Sequence, residues 1–457
     1  MNTIARTTNP KTNHSAQVGI VLVSTLILGG LVFLIRKSPS SGLWSFFFYK
    51  ELPAWLRLSF VLSPALLTIA ACYLTKRIPN SVTWFERQRV RPIILICGAF
   101  VISFGLFWLL REHRYWGDAI STIKILEGEH TVKPLGSFFW KEPLDRILAV
   151  LFYDIFHGLG NWGAAQSIAL MSCLAGGIFV SALFVLAARL GQTIYDRFFI
   201  FAFTLSMGAV QLFFGHVENY TLVTLFMLLF MLAGVQYLKG AAPLYMAVLL
   251  AAVAAAAHPL AIFLLPALMS LPFIRMPREP WKNIFQAVLP GLAFLTGFYV
   301  ICRLLGAPQI VIGLNQFGDD RNVFLPVLQA LKYRHVRDVI QNYLLILPLG
   351  VWVIAIDLIR TKPGVHRDPI ALFLLINSLS FLVFALFFNQ KLDRLMDWDL
   401  FAPAALPITL TAGYLYVSLR PNDSEKKGIG LYAILFSLAF TVPWVLSNYW
   451  ANQPLFK

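Results

Sequence analysis

Apolar residues run along this chain in stretches of about 17–25 positions, the length a helix needs to cross about 30 Å of hydrocarbon. The stretches fall at 17–35, 53–75, 92–110, 164–187, 198–214, 220–238, 243–257, 260–274, 284–304, 341–359, 369–388, 400–418 and 429–447, each bounded by charges, proline or glycine. Strand-like alternation of apolar and polar positions is absent, which argues against a membrane β-barrel. The pattern predicts an all-α polytopic integral membrane protein of about 13 transmembrane helices. It forms a single transmembrane domain over 1–457. Three segments are too long for simple turns: a first non-cytoplasmic loop at 111–163, and further ones at 305–340 and 389–399.

Composition supports this class. Hydrophobic residues make up 58% of the chain and charged residues 13%, about half the charge a water-soluble domain needs. The net charge of +15 comes from Lys and Arg in short loops between apolar runs. That is the signature of loops held on the cytoplasmic face, and nucleic acid is not expected as a partner. Loop 76–91 is the most basic (Lys76, Arg77, Arg87, Arg89, Arg91), which puts it and the N-terminus in the cytoplasm. The polar first 16 residues then read as the lead-in to an uncleaved signal-anchor helix. The segment 243–274 holds His258-Pro259 in mid-run, and proline breaks a helix. A hairpin with His258 at its tip gives the better charge balance. The four cysteines have no metal-ligand or disulfide spacing.

This topology gathers five polar segments on the non-cytoplasmic face. Arg114-Tyr115-Trp116-Gly117-Asp118 follows the third run, and its Asp beside two rings is placed to meet a ligand arriving from the bilayer; the plainer alternative is an interfacial aromatic belt. In Lys141-Glu142-Pro143-Leu144-Asp145-Arg146, the cations suit a phosphate and the acids a sugar hydroxyl, or the segment simply caps a helix. Gly215-His216-Val217-Glu218-Asn219-Tyr220 packs two ionisable groups into a short turn at membrane depth, where such groups are costly. His258 either projects into the same space or caps its own broken helix. Lys391-Leu392-Asp393-Arg394 leads into Asp397-Trp398-Asp399, which offers a cation for phosphate and two carboxylates around a ring for a sugar. A nucleotide-type Gly-rich loop, a GxSxG turn and an HExxH zinc motif are all absent.

The layout, with Tyr115-Trp116-Gly117-Asp118 soon after a span and Glu142-Pro143-Leu144 later in the same loop, resembles the C-type membrane glycosyltransferase (GT-C) superfamily. That group includes oligosaccharyltransferase catalytic subunits, protein O-mannosyltransferases and aminoarabinose transferases. The segments Gly215–Tyr220 and Asp397–Asp399 look like those of bacterial members. The resemblance implies an inverting, hexosyltransferase-like enzyme that draws a sugar from a polyprenyl-phosphate donor on the outer side of a bacterial plasma membrane. The acceptor is a lipid, a glycan or a protein. Asp118 would be the general base. Tyr115, Trp116, Lys141, Glu142, Asp145, Arg146, His216, Glu218, His258, Arg394, Asp397 and Asp399 would contact substrate, with Arg321, Arg334 and Arg337 as further cations for the leaving phosphate. No metal ligands are assigned, although a divalent ion (Mg or Mn) is compatible. The chain departs from the superfamily in having no second acidic residue directly adjoining Asp118. The rival readings are a transporter or flippase of a lipid-linked or anionic substrate, and a non-catalytic protein of the same fold.

Overall fold

The computed structural model describes residues 23–33, 44–77, 92–115, 117–128, 142–276, 280–306, 324–359, 368–389, 397–420 and 423–450. Among them all regular structure is helical, apart from one isolated bridge between Phe324 and Phe388. Seven helices are long and apolar enough to cross a membrane: α4 (Pro92–Leu109), α7 (Ala164–Leu190), α9 (Thr221–Leu238), α12 (Pro280–Leu304), α16 (Pro369–Phe387), α17 (Trp398–Leu419) and α18 (Asp423–Trp450). An eighth is the pair α14 (Tyr333–Ile346) and α15 (Gly350–Ile359), if the two count as one span despite a bend of 102°. The other helices among the described residues are α1 (Val23–Phe33), α2 (Phe47–Glu51), α3 (Ala54–Arg77), α5 (Gly117–Leu126), α6 (Pro143–Gly160), α8 (Ile194–Leu205), α10 (Leu244–Ala257), α11 (Leu265–Arg275) and α13 (Val327–Ala330).

Two expected crossings are not continuous helices. The run 198–214 ends as α8 at Leu205 and continues as a 3-10 turn, Gly208–Phe213. Gly208 lies hard against the Leu345 carbonyl of α14, so that a Cβ would have no room there. The run 341–359 breaks between Ile346 and Gly350. Hydropathy registers neither break: the first goes with the close approach of Gly208 to Leu345, and the second holds Pro348, which is apolar but cannot continue a helix.

The segment 244–275 runs out and back. Tyr220, at the start of α9, stacks on His258 with ring centroids 4.9 Å apart. The Arg275 guanidinium covers the Tyr237 ring near the other end of α9, at 4.6 Å. His258 therefore sits at the turn between α10 and α11, and its Nδ1 accepts the Leu260 amide at 3.0 Å.

Helix α17 is the axis of the bundle. It is buried along nearly its whole length and packs on α8, α15 and α16, whereas α4 and α12 turn most of their apolar surface outward. One end of the bundle carries Arg189, Lys239, Arg275, Arg420 and Lys426, and its charges are tied down. Thr193 and Asp196 form a reciprocal cap on α8, and the second oxygen of Asp196 receives Lys426 Nζ at 3.0 Å. The Lys426 carbonyl in turn accepts the hydroxyls of Tyr195 and Tyr416. Arg420 pairs with buried Asp357 while stacking on Tyr416, and Tyr414 donates to Asp368, the cap of α16.

Asp196 and Lys426 are both nearly fully buried. Removing one partner strands a charge, at a cost of about 3–5 kcal/mol. Lys426→Met is expected to lower the thermal midpoint of the detergent-purified protein sharply. Adding Asp196→Asn to it should recover most of the loss, and a single variant as stable as wild type would refute the clamp.

Candidate functional site

The other end of the bundle collects the N-termini of α5, α6, α9 and α17. Just past α4, Glu112 turns back, and its amide donates to the Phe214 carbonyl at 2.7 Å. Gly215 follows with φ +75°, in the left-handed region that favours glycine. It passes under Arg111 so closely that a Cβ would lie 2.9 Å from the Arg111 Cβ. This turn drives His216 into the interior, where it is 1% exposed.

Both imidazole nitrogens of His216 meet carboxylates: Nδ1 lies 2.7 Å from Glu112 Oε1 and Nε2 lies 3.2 Å from Asp399 Oδ2. Gln211 Nε2 donates to the other Glu112 oxygen at 3.0 Å. Trp398 packs on the His216 ring and is itself wedged edge-on against Trp444. Burial opposes a charged imidazolium, but Glu112 and Asp399 together outweigh it and push the His216 pKa up to about 10.

Two residues on, buried Glu218 accepts the Ala119 amide at the start of α5, at 3.4 Å. Burial first, and then the nearby Asp399 and Asp118 carboxylates, hold the Glu218 pKa well above the usual carboxylate range. Asp118 occupies the first turn of α5, where the positive end of the helix dipole lies. The structure thus supplies the second acid that the sequence shows no sign of beside Asp118. It comes from a loop about a hundred positions away, folded against the same helix start.

A second cluster adjoins the first. His258 Nε2 lies 3.7 Å from Glu142 Oε1, and Arg146 Nη2 lies 3.8 Å from Glu142 Oε2. Arg146 also donates to Thr122 of α5 at 2.7 Å. Burial, reinforced by Arg146, pushes His258 down to about 3, so it is neutral. Asp145, 2% exposed, has one oxygen with no hydrogen-bond partner among the described residues. Burial lifts its pKa to about 7 against the opposing pull of Arg146.

Of the residues expected from sequence, Asp118, Glu218, His216 and Asp399 meet in the first cluster, and Glu142, Asp145, Arg146 and His258 form the second. Asp397 is buried at the start of α17, and its charge reaches Tyr220. Tyr115 is on the surface beside them. Trp116, Lys141, Arg321 and Arg394 lie outside the described residues. Arg337 pairs with neighbouring Asp338 and stacks on Tyr333, and Arg334 is exposed. Sequence reasoning missed Glu112, Gln211 and Thr122. Glu112 was hidden by Arg111, His113 and Arg114, which together read as ordinary interfacial charge.

The side chains of His216, Glu218 and Asp399 each offer a ligand atom, all within 4.8 Å of one another. Two carboxylates and one imidazole suit a divalent cation. His216 would ligate it through Nε2 after giving up the proton it now shares with Asp399.

No family model matches the chain, and no curated protein matches its sequence. Solved structures do. ArnT from Cupriavidus metallidurans bound to undecaprenyl phosphate superposes with a TM-score of 0.53 at 14% identity, covering 79% of this chain and 78% of that one. The apo form of the same protein gives 0.50 at 14% identity, over 78% and 77%. At this identity the likeness is one of fold: the chain has an all-α architecture like that of ArnT.

Asp145 gives a pH prediction. Its folded pKa, about 7, lies above the ordinary aspartate value of 3.8, so between these values the folded state binds a proton that the unfolded chain has lost. Its contribution to stability should fall as pH rises from about 4 to about 7 and level off above that. The difference in thermal midpoint between Asp145→Asn and wild type should therefore grow in the variant's favour from about pH 4 to about pH 7; a difference that does not change with pH would show that Asp145 makes no such contribution.

Proposed function

We propose that this chain is a membrane glycosyltransferase that moves a sugar from a polyprenyl-phosphate donor to an acceptor on the non-cytoplasmic face of a bacterial plasma membrane. The observation that carries this reading is the meeting of three sequence-distant acidic segments, at Asp118, Glu218 and Asp399, in one buried site on a fold like that of ArnT. Orientation is supported by charge: the basic residues at the far end of the bundle suit the cytoplasmic side and leave the acidic site facing outward.

The reaction is a displacement at the anomeric carbon. Asp118 takes the proton of an acceptor hydroxyl as its oxygen bonds to that carbon. The bond from the carbon to the phosphate oxygen breaks on the opposite side, and configuration inverts. Burial first, and then Asp399 through both charge and a hydrogen bond, raise the Glu218 pKa and make it the weaker proton acceptor of the two. This leaves Asp118 as the carboxylate that accepts the acceptor proton.

The leaving phosphate needs a cation waiting for it. Arg146 supports that role from the second cluster, because Thr122 and Glu142 fix its guanidinium. Neutral His258 and the ring of Tyr220 beside it offer a surface for the sugar. Tyr115 and Trp116 would receive the donor from the bilayer, and Asp397 would bind sugar hydroxyls; Lys141 and Arg394 would add positive charge at the phosphate. A divalent ion held by His216, Glu218 and Asp399 would supply further charge stabilisation when bound, and Glu218 would have to give up its proton to ligate it.

The test is transfer from labelled polyprenyl-phosphate sugars in membranes carrying wild type or Asp118→Asn at matched protein level. Loss of a general base should cut transfer by about 10²- to 10⁴-fold. Transfer that survives the substitution would remove Asp118 as the base. Wild-type membranes that flip the lipid but transfer no sugar would replace this reading with a lipid transporter.

A further inference from the structure

We propose that Glu112 and Gln211 are positioning residues of this site, fixing the His216 ring so that Nε2 faces Asp399. Glu112 is held from three directions. Its amide binds the Phe214 carbonyl at 2.7 Å, Oε2 receives Gln211 Nε2 at 3.0 Å, and Oε1 lies 2.7 Å from His216 Nδ1. Glu112, Gln211 and His216 are 3%, 0% and 1% exposed, so water cannot substitute for any of these contacts.

An imidazole on a loop can swivel and exchange the roles of its nitrogens, and the hydrogen bond on one nitrogen decides what the other presents. With Nδ1 committed to Glu112, only Nε2 can meet Asp399. Glu112 is not among the three residues whose ligand atoms converge there. Its influence on the chemistry therefore passes through His216. Carboxylates that orient a metal-ligating histidine from behind typically contribute about 10- to 100-fold in metal affinity or activity, the scale expected if His216 serves as such a ligand.

A loop clasp alone would give the same contacts, so the test separates the two roles. Glu112→Gln keeps the side-chain length and a hydrogen-bond acceptor but removes the charge that commands Nδ1. The spectroscopic arm uses the full chain in lipid nanodiscs with ¹⁵N-labelled histidine, the His216 signals being assigned by their loss in His216→Gln. Both ring-nitrogen signals of His216 should move in Glu112→Gln while those of the other histidines stay in place. The kinetic arm rests on the glycosyl-transfer reading: kcat should fall about 10- to 100-fold with KM unchanged, and Glu112→Asp should restore part of it. His216 signals that stay in place in a folded Glu112→Gln would overturn the proposal, as would a kcat within about twofold of wild type. If wild type transfers no sugar, the transfer reading fails and the spectroscopic arm decides alone. Should Glu112→Gln not fold, Gln211→Met removes only the donor to Glu112 Oε2 and is read in the same way.

Discussion

An imidazole buried between two carboxylates dominates the architecture of this protein. Taking ions out of water costs several kcal/mol each, recovered only when every charge finds well-placed partners. His216, Glu112 and Asp399 meet that condition as a set. Their backbones come from three places: the exit of α4, the turn before α9 and the first turn of α17. The left-handed turn at Gly215 is what lets the chain deliver His216 under Arg111, and Trp398 and Trp444 close the space behind the ring. Removing any one of these would leave a buried ion without its counterpart. The constraint thus fixes how three distant segments come together.

The two ends of the bundle handle charge in opposite ways. At the basic end, acids and cations neutralise one another in pairs: Asp196 with Lys426, Asp357 with Arg420. Such pairs lock helices together and have no chemistry to spare. At the acidic end carboxylates outnumber cations among the described residues, and burial raises the proton affinity of Glu218 and Asp145. A region that holds protons against its surroundings is electrostatically primed for proton transfer, and perturbed groups of this kind cluster at functional sites.

Much of this was legible in the sequence, for physical reasons that can be named. Apolar run length reports the helices directly, because lipid leaves the backbone no other way to satisfy its hydrogen bonds. Proline after His258 announced the turn between α10 and α11, and the acidic loop segments were recognisable because ionisable groups near hydrocarbon are costly enough to be rare. The break after Leu205 was not legible, since it depends on which backbones touch: Gly208 against Leu345 is a tertiary contact with no hydropathic trace, whereas the break after Ile346 was marked by Pro348 and passed over because proline does not interrupt an apolar run. Glu112 escaped notice for a related reason. Sequence weighs a charge by its neighbours along the chain, while its role here is set by Gln211 and His216 across space.

The same distinction bears on the acid beside Asp118. A chain with no adjacent second carboxylate looks, residue by residue, like a departure from a two-acid site. Folding reverses that impression, because Glu218 reaches the amide of Ala119, the residue next to Asp118. Adjacency in sequence would hold two like charges together at all times, in the unfolded chain as well as the folded one. Adjacency through the fold imposes the repulsion only once burial and Asp399 have already raised the proton affinity of Glu218. The second acid can then enter the site protonated, as a hydrogen-bond donor rather than a competing base. The division of labour between two chemically similar side chains follows from where each is held: Asp118 half-buried at a helix start, Glu218 sealed behind it.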